Sequence, residues 1–327
     1  MERVDGVESD GMERRAGAEP GGVEQGAGAE RPDGFERPDG VRLYAPELEP
    51  QDGGRSPDTS WPVWSAAIAL LGGLVLAAVG GLLVDLPALA FGVEISSSHT
   101  PPGLAIADTV VQDVAFVLAA VYCAQMSGRA VRSWQFGLRP PARGWWKAGG
   151  WVLALIALFF ALSVIWSALL HPEEEDLLKQ LGSNEGAALL ILSAGLTCVI
   201  APICEELLFR GYIFTALRNW RGTLPAALIT GLLFGGVHAG SAPALDLVPL
   251  AGLGVGLCLL YRHTGSLYPA IVAHSLNNSI AFASLEHWSW QIPVLIIGAL
   301  LGVGALAAAF KSIGVIAPAP LLARADN

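Results

Sequence analysis

From Trp61 onward the sequence alternates apolar runs with short polar breaks. Each run is near the length that crosses a lipid bilayer as a helix, about 20 residues. Eight can be marked, at about 61–84, 104–126, 145–170, 186–203, 223–239, 244–261, 267–285 and 290–310. In the hydrocarbon every backbone N–H and C=O must find its partner inside the protein, so only helices and closed barrels cross. No run shows the period-two alternation of a barrel strand, which leaves helices. The run at 223–239 is the shortest, and the sixth is expected to be broken by Pro249 and several glycines, so the count holds to about one. The expected fold class is an all-α integral membrane protein, a bundle of about eight transmembrane helices behind a disordered N-terminal tail.

Composition agrees. Hydrophobic residues make up 53% of the chain and charged ones only 15%, with a mean hydropathy of +0.52, outside the range of soluble globular domains. The net charge of -10 does not point to nucleic acid, because the acids gather in the first stretch of the chain and in one short loop. Residues 1–58 are Gly, Glu, Asp, Pro and Arg with few aliphatic clusters, and are expected to form an acidic, disordered cytoplasmic tail. They lack the basic and then apolar pattern of a signal peptide, so the first apolar run is expected to act as an uncleaved anchor. Cys123, Cys198, Cys204 and Cys258 have no metal-ligand spacing and read as buried small hydrophobes. The acidic stretch His171 to Asp176 reads as a solvated loop rather than a metal site. Trp145, Trp146, Trp151, Trp288 and Trp290 flank the runs, where interfacial aromatic belts are expected.

Loop cations orient the bundle. The second break carries Arg129, Arg132, Arg139, Arg143 and Lys147, the fourth Arg210, Arg218 and Arg221, and the sixth Arg262; Lys311 and Arg324 follow the last run. The odd-numbered breaks contribute only Lys179. Basic loops stay in the cytoplasm, so both termini are expected there, in a multi-pass protein of the cell (plasma) membrane, with Glu205 to Arg210 toward the cytoplasmic side. Arginine far outnumbers lysine, a bias of GC-rich bacterial genomes.

Three polar groups interrupt the apolar pattern of the second half. In the first, Glu205 and Glu206 are followed by Arg210. On a helix Glu206 and Arg210 share a face, whereas Glu205 is turned about 100° away from Glu206. Arg210 can therefore neutralise Glu206 in a structural ion pair and leave Glu205 available. The second group ends in His238, inside the fifth run, and the third holds His274 and Asn278 at i and i+4 of the seventh. A helix-end salt bridge, a structural histidine and interhelical hydrogen bonds are the plain readings of each alone. Two acids, two histidines and an amide on three apolar segments are harder to attribute to packing, because charged and polar groups at membrane depth are costly.

In this order, Glu205-Glu206-x3-Arg210, Phe234-x3-His238 and His274-x3-Asn278 resemble the three motifs of the CPBP family of intramembrane proteases, which takes in the Rce1-type CAAX prenyl endopeptidases and the bacterial Abi or bacteriocin-immunity proteins. The resemblance covers about residues 187–285, and the first 130 residues offer nothing to match. It implies an endopeptidase (metalloprotease-like hydrolase) in which Glu205 is the catalytic carboxylate, His238 and His274 complete the centre, Asn278 assists, and Glu206 with Arg210 holds the glutamate helix. Residues 59–185 would then be accessory transmembrane helices, 186–312 the catalytic membrane domain, and 313–327 a cytoplasmic tail.

Chemically, Glu205 could take a proton from a water held by His238, while His274 and Asn278 donate to the oxyanion. Glu205, His238 and His274 could instead hold a catalytic Zn2+; no HExxH helix is present, and a metal-free glutamate mechanism is an equal alternative at this level. No serine or cysteine stands beside a histidine as a nucleophile, which disfavours an acyl-enzyme. The expected partners are the lipid bilayer and a peptide or membrane-anchored protein substrate. Two other classes compete: a non-catalytic membrane partner or immunity protein, and an ion-coupled transporter using the same residues as a proton relay.

Overall fold

In the computed structural model the described residues are 61–95, 100–126, 131–170 and 186–312, all within one unit, Leu48–Asn327. The expected tails at 1–58 and 313–327 and the acidic loop at 171–176 lie outside them. Each of the eight apolar runs corresponds to one helical rod: α1 Val63–Ala90, α2 Pro102–Gln125, α3 Trp145–Leu170, α4 Ala187–Arg221, which continues through the fourth polar break, α5 Thr223–Val237, α6 Leu247–Thr264, α7 Tyr268–Leu285 and α8 Gln291–Ser312. Among the described residues the only β feature is an isolated bridge between Ala239 and Ala242.

Six of the rods are long and apolar enough to cross a membrane, which makes this a multi-pass helical protein. The other two are those that carry the histidines. α5 has 15 residues, and His238 caps its C-terminus rather than lying inside the helix. α7 is as long as α6 but bears His274, Asn277 and Asn278. The sixth run is not broken by Pro249. The helix starts later than the hydropathy suggested, at Leu247, so Pro249 falls in the first turn, where its missing N–H costs nothing.

α1 packs along α2 and α5 along α6, while α7 touches α3, α4, α6 and α8. The α5–α6 contact is backbone on backbone. A Cβ at Gly235 would stand 2.5 Å from the Leu247 carbonyl oxygen and 2.9 Å from the Ala251 nitrogen, and one at Gly254 would stand 2.8 Å from the Gly231 Cα. Small residues permit this approach where lipid gives helices little hydrophobic reason to associate. At one end of the bundle the segment after α2 is tied to the α6–α7 turn. Leu267 N–H donates to the Gly137 carbonyl (2.7 Å), the Ser266 hydroxyl to that of Arg139 (2.6 Å) and Ala142 N–H to that of Thr264 (2.9 Å).

The close approach is testable. Gly235→Ala forces backbone apart and is expected to cost about 1–3 kcal/mol, seen as a lower unfolding midpoint in detergent. Gly236→Ala, with nothing within 4 Å of the added methyl, is expected to leave the midpoint unchanged.

Candidate active site

The site begins with a proline. In an α-helix the nitrogen of residue 202 would donate to the Cys198 carbonyl, and in a wider π-turn to that of Thr197. Pro202 has no N–H and can do neither. Around it α4 opens into π-helical turns at Leu196–Ile200 and again at Leu207–Phe214, with ordinary helix over Ala201–Glu206 between them. Such turns recur at functional sites. Side chains of α7 donate to both of these carbonyls: the Ser275 hydroxyl to Cys198 O (2.6 Å) and Asn278 Nδ2 to Thr197 O (3.0 Å). Asn277 Nδ2 donates in turn to Asn278 Oδ1 (3.2 Å). The helix carrying the histidine and the helix carrying the glutamates are thus clamped about two turns before the acids.

Beyond the clamp lies a buried charge network. Glu206 and Arg210 are both 0% exposed. Arg210 Nη1 donates to Glu206 Oε1 at 2.7 Å, and His274 Nδ1 reaches the same oxygen at 2.9 Å. Arg210 Nη2 donates to the Gly254 carbonyl (3.2 Å), and its guanidinium sits 4.3 Å from the centre of the Phe234 ring. Leaving either charge alone at this depth would cost several kcal/mol, so the pair is mutually required. Its further effect is on His274. With Nδ1–H committed to Glu206, Nε2 turns to Glu205, 3.8 Å from Oε2.

Glu205, 8% exposed, has no hydrogen-bond partner on Oε2. It lines a cavity of about 360 Å³ together with His238, His274 and Asn278, a volume in the range of small-ligand sites. His238 Nδ1 bonds the Phe234 carbonyl at 2.7 Å, which leaves Nε2 as its second nitrogen. Phe234 is the spacer of the site, with its ring 5.0 Å from that of His238 and 5.5 Å from that of His274. Glu206 is not on the cavity wall. It lies behind the wall as the group that orients His274. A larger hollow of about 630 Å³, lined by Arg143, Lys147, Trp151 and His263, contains none of these carboxylates and stands apart from the chemistry.

Several residues of the site escaped the sequence reading. Asn277 and Thr197 line the cavity, as do Gln112 of α2 and Phe159, Phe160 and Trp166 of α3. The helices with nothing to match therefore supply walls. Asp113 of α2 is the sharpest omission. It is 1% exposed, neither of its oxygens has a hydrogen-bond partner, and it is an electrostatic neighbour of Glu205 and Cys204. Its signal was present, an acid inside an apolar run, by the same reasoning that singled out Glu205.

Among the described residues no three His, Cys, Asp or Glu side chains are set to hold one ion. Nδ1 of each histidine is held, by Glu206 or by the Phe234 carbonyl, which leaves Nε2 of each to meet a water or another ligand beside Glu205.

Residues 187–280 match the family described as Type II CAAX prenyl endopeptidase Rce1-like. The match takes in Glu205, Glu206, Arg210, His238, His274 and Asn278. A protein of Bacillus subtilis (strain 168), "Putative membrane peptidase YdiL", is 27% identical over 165 residues, which is 48% of this chain and 65% of that protein. "UPF0177 protein YxdF" of Lactococcus lactis subsp. lactis (strain IL1403) is 25% identical over 162 residues, 47% of this chain and 88% of that protein. The chain thus spans less than two thirds of the first of these relatives. No solved structure matches it. The motif resemblance holds: this is a multi-pass helical membrane protein in which residues 187–280 are similar to the Rce1-like family.

The clamp makes a two-step prediction. Ser275→Ala strands the Cys198 carbonyl and is expected to cost about 1–3 kcal/mol, read as a drop in the unfolding midpoint. Adding Pro202→Ala is expected to recover most of the loss, because an alanine N–H can reach that carbonyl; no recovery would mean that the proline is not what frees it.

Proposed function

We propose that the protein is a membrane-embedded endopeptidase that hydrolyses a peptide bond with a water activated by Glu205. The observation that carries this reading is the division of the two acids. Glu206 is bonded to Arg210 and His274, whereas Glu205 lines the cavity with Oε2 unpartnered and 3.8 Å from His274 Nε2. The Rce1-like match and the name of the Bacillus relative support a peptidase at the level of family.

In the proposed reaction a water lies between Glu205 and His238 Nε2. Glu205 takes its proton as the oxygen attacks the scissile carbonyl. The second hydrogen of Asn278 Nδ2 donates to the oxyanion as it forms, while Nε2 of His274, the acceptor nitrogen left by the Nδ1–H bond to Glu206, faces Glu205 as it carries the proton. Glu205 then returns the proton to the leaving amine, so the carboxylate is restored and no covalent enzyme intermediate forms. Phe116, Phe159 and Phe160 on the cavity wall limit bulk water, which strengthens each of these contacts. The substrate is a peptide or a membrane-anchored protein, and the enzyme is a multi-pass protein of the cell membrane with both termini in the cytoplasm.

Purified full-length protein, incubated with a proteome-derived peptide mixture, is expected to cut peptides, and Glu205→Gln to reduce cutting by at least about 100-fold, the lower range for removal of a general base. Equal cutting by both would remove Glu205 from the chemistry. The reaction proposed is metal-free, so exhaustive chelation is expected to leave cleavage unchanged in protein that contains no stoichiometric zinc; loss of activity restored by zinc would refute that part.

A further inference from the structure

The cavity that holds Glu205 is sided. From Thr197, Glu205 and His274, well inside their helices, its lining extends to Thr109, Trp166, Ser167, Ser241 and Asp246. Thr109 is near the N-terminus of α2, Trp166 and Ser167 near the C-terminus of α3, Ser241 in the loop after α5, and Asp246 at the N-terminus of α6. They line one cavity, and Trp166 Nε1 donates to the Leu245 carbonyl (3.1 Å), so these positions share one end of the bundle. The other end gathers the cations: Arg132, Arg139, Arg143 and Lys147 between α2 and α3 or in the first turn of α3, Arg218 and Arg221 at the end of α4, Arg262 at the end of α6 and Lys311 at the end of α8. Hydrogen bonds between the segment after α2 and the α6–α7 turn hold two of these basic groups together, and Arg143 Nη1 lies 3.1 Å from His263 Nε2.

Basic ends face the cytoplasm. The cavity therefore reaches the end that faces away from it. Loop charges alone put Glu205 to Arg210 toward the cytoplasm, and Arg210 does lie on that side of Glu205 along α4, but depth and access are separate properties. The way in follows the lining, and the lining runs to the arginine-poor end.

The lining also has a charge character. Its carboxylates are Glu205, deep, and Asp246, at the mouth, and among the described residues that line it there is no lysine or arginine. An acidic side chain entering here meets like charge at both depths. A free C-terminal carboxylate next to the scissile bond has no guanidinium or ammonium to hold it, and such groups are the usual partners of a carboxylate. The remaining wall is aromatic and aliphatic, with hydroxyls and amides from Gln112, Ser163 and Ser167 that can meet the backbone of an extended peptide.

We infer that the enzyme takes its substrate from the non-cytoplasmic side, and that the substrate is an internal stretch of peptide without acidic residues beside the cleaved bond. The inference rests on the peptidase reading. A prenylated cytoplasmic C-terminus fits neither the side nor the charge of this cavity.

Two measurements on the full-length chain test it. Ser241→Cys and Ser167→Cys, at the mouth, and Ala142→Cys, in the segment after α2, are treated with a membrane-impermeant maleimide, with wild type as background for its own cysteines. The mouth variants are expected to react in intact cells and Ala142→Cys only after permeabilisation; any other pattern at the mouth positions overturns the sidedness. In the second, cleavage sites in a proteome-derived peptide mixture are mapped for wild type and Glu205→Gln. Cuts dependent on Glu205 are expected at internal bonds, with Asp and Glu depleted several-fold in the two residues on either side. Cuts gathered near free C-termini, or enriched beside acids, overturn the substrate class. If wild type makes no cuts beyond those of Glu205→Gln, the peptidase reading fails together with the substrate class, while the maleimide pattern still decides the side.

Discussion

The structure depends on a guanidinium and a carboxylate that have both left water. Arg210 and Glu206 meet at 2.7 Å with no exposure, inside a bundle whose outer surface is apolar. A buried pair is often no more stabilising than a hydrophobic one of equal volume, but removing one partner costs on the order of 3–5 kcal/mol because the other is stranded. Its value here is geometric. Glu206 fixes the tautomer of His274, Arg210 reaches across to the Gly254 carbonyl of α6 and over the Phe234 ring of α5, and four helices are thereby registered about one point.

That registration needs two further features of the backbone. Pro202 can donate to neither Thr197 O nor Cys198 O, and Asn278 and Ser275 of α7 do so, which ties the histidine helix to the glutamate helix. Gly231, Gly235 and Gly254 bring α5 onto α6 without intervening side chains, which carries Phe234 and His238 to the same point. Asn278 thus has a packing role whatever it does for an oxyanion, and one amide can serve both because Nδ2 carries two hydrogens.

Much of this was legible in the chain. The eight runs became eight rods because length and apolarity are properties of a segment by itself. The Arg210–Glu206 contact followed from i,i+4 spacing and forms even though Arg210 lies in a π-turn. What the sequence hid depends on who faces whom. Nothing local says that the bond lost at Pro202 is made good by Ser275, that Asn277 turns into the cavity beside Asn278, or that α2 and α3 line it. Asp113 is a different case, an acid in an apolar run that could have been weighed with Glu205, and it lay outside the stretch where the motifs drew attention. The direction of access also needed the fold, since loop charges orient helices and say nothing of where a cavity between them opens.

The central claim is that two adjacent glutamates divide the work, Glu206 holding the site together and Glu205 carrying the chemistry. The most direct measurement is of unfolding midpoint and cleavage rate, side by side, for Glu205→Gln and Glu206→Gln. The division predicts that Glu205→Gln keeps the wild-type midpoint and loses cleavage, whereas Glu206→Gln, which strands Arg210, lowers the midpoint. A stable, inactive Glu206→Gln beside an active Glu205→Gln would contradict it.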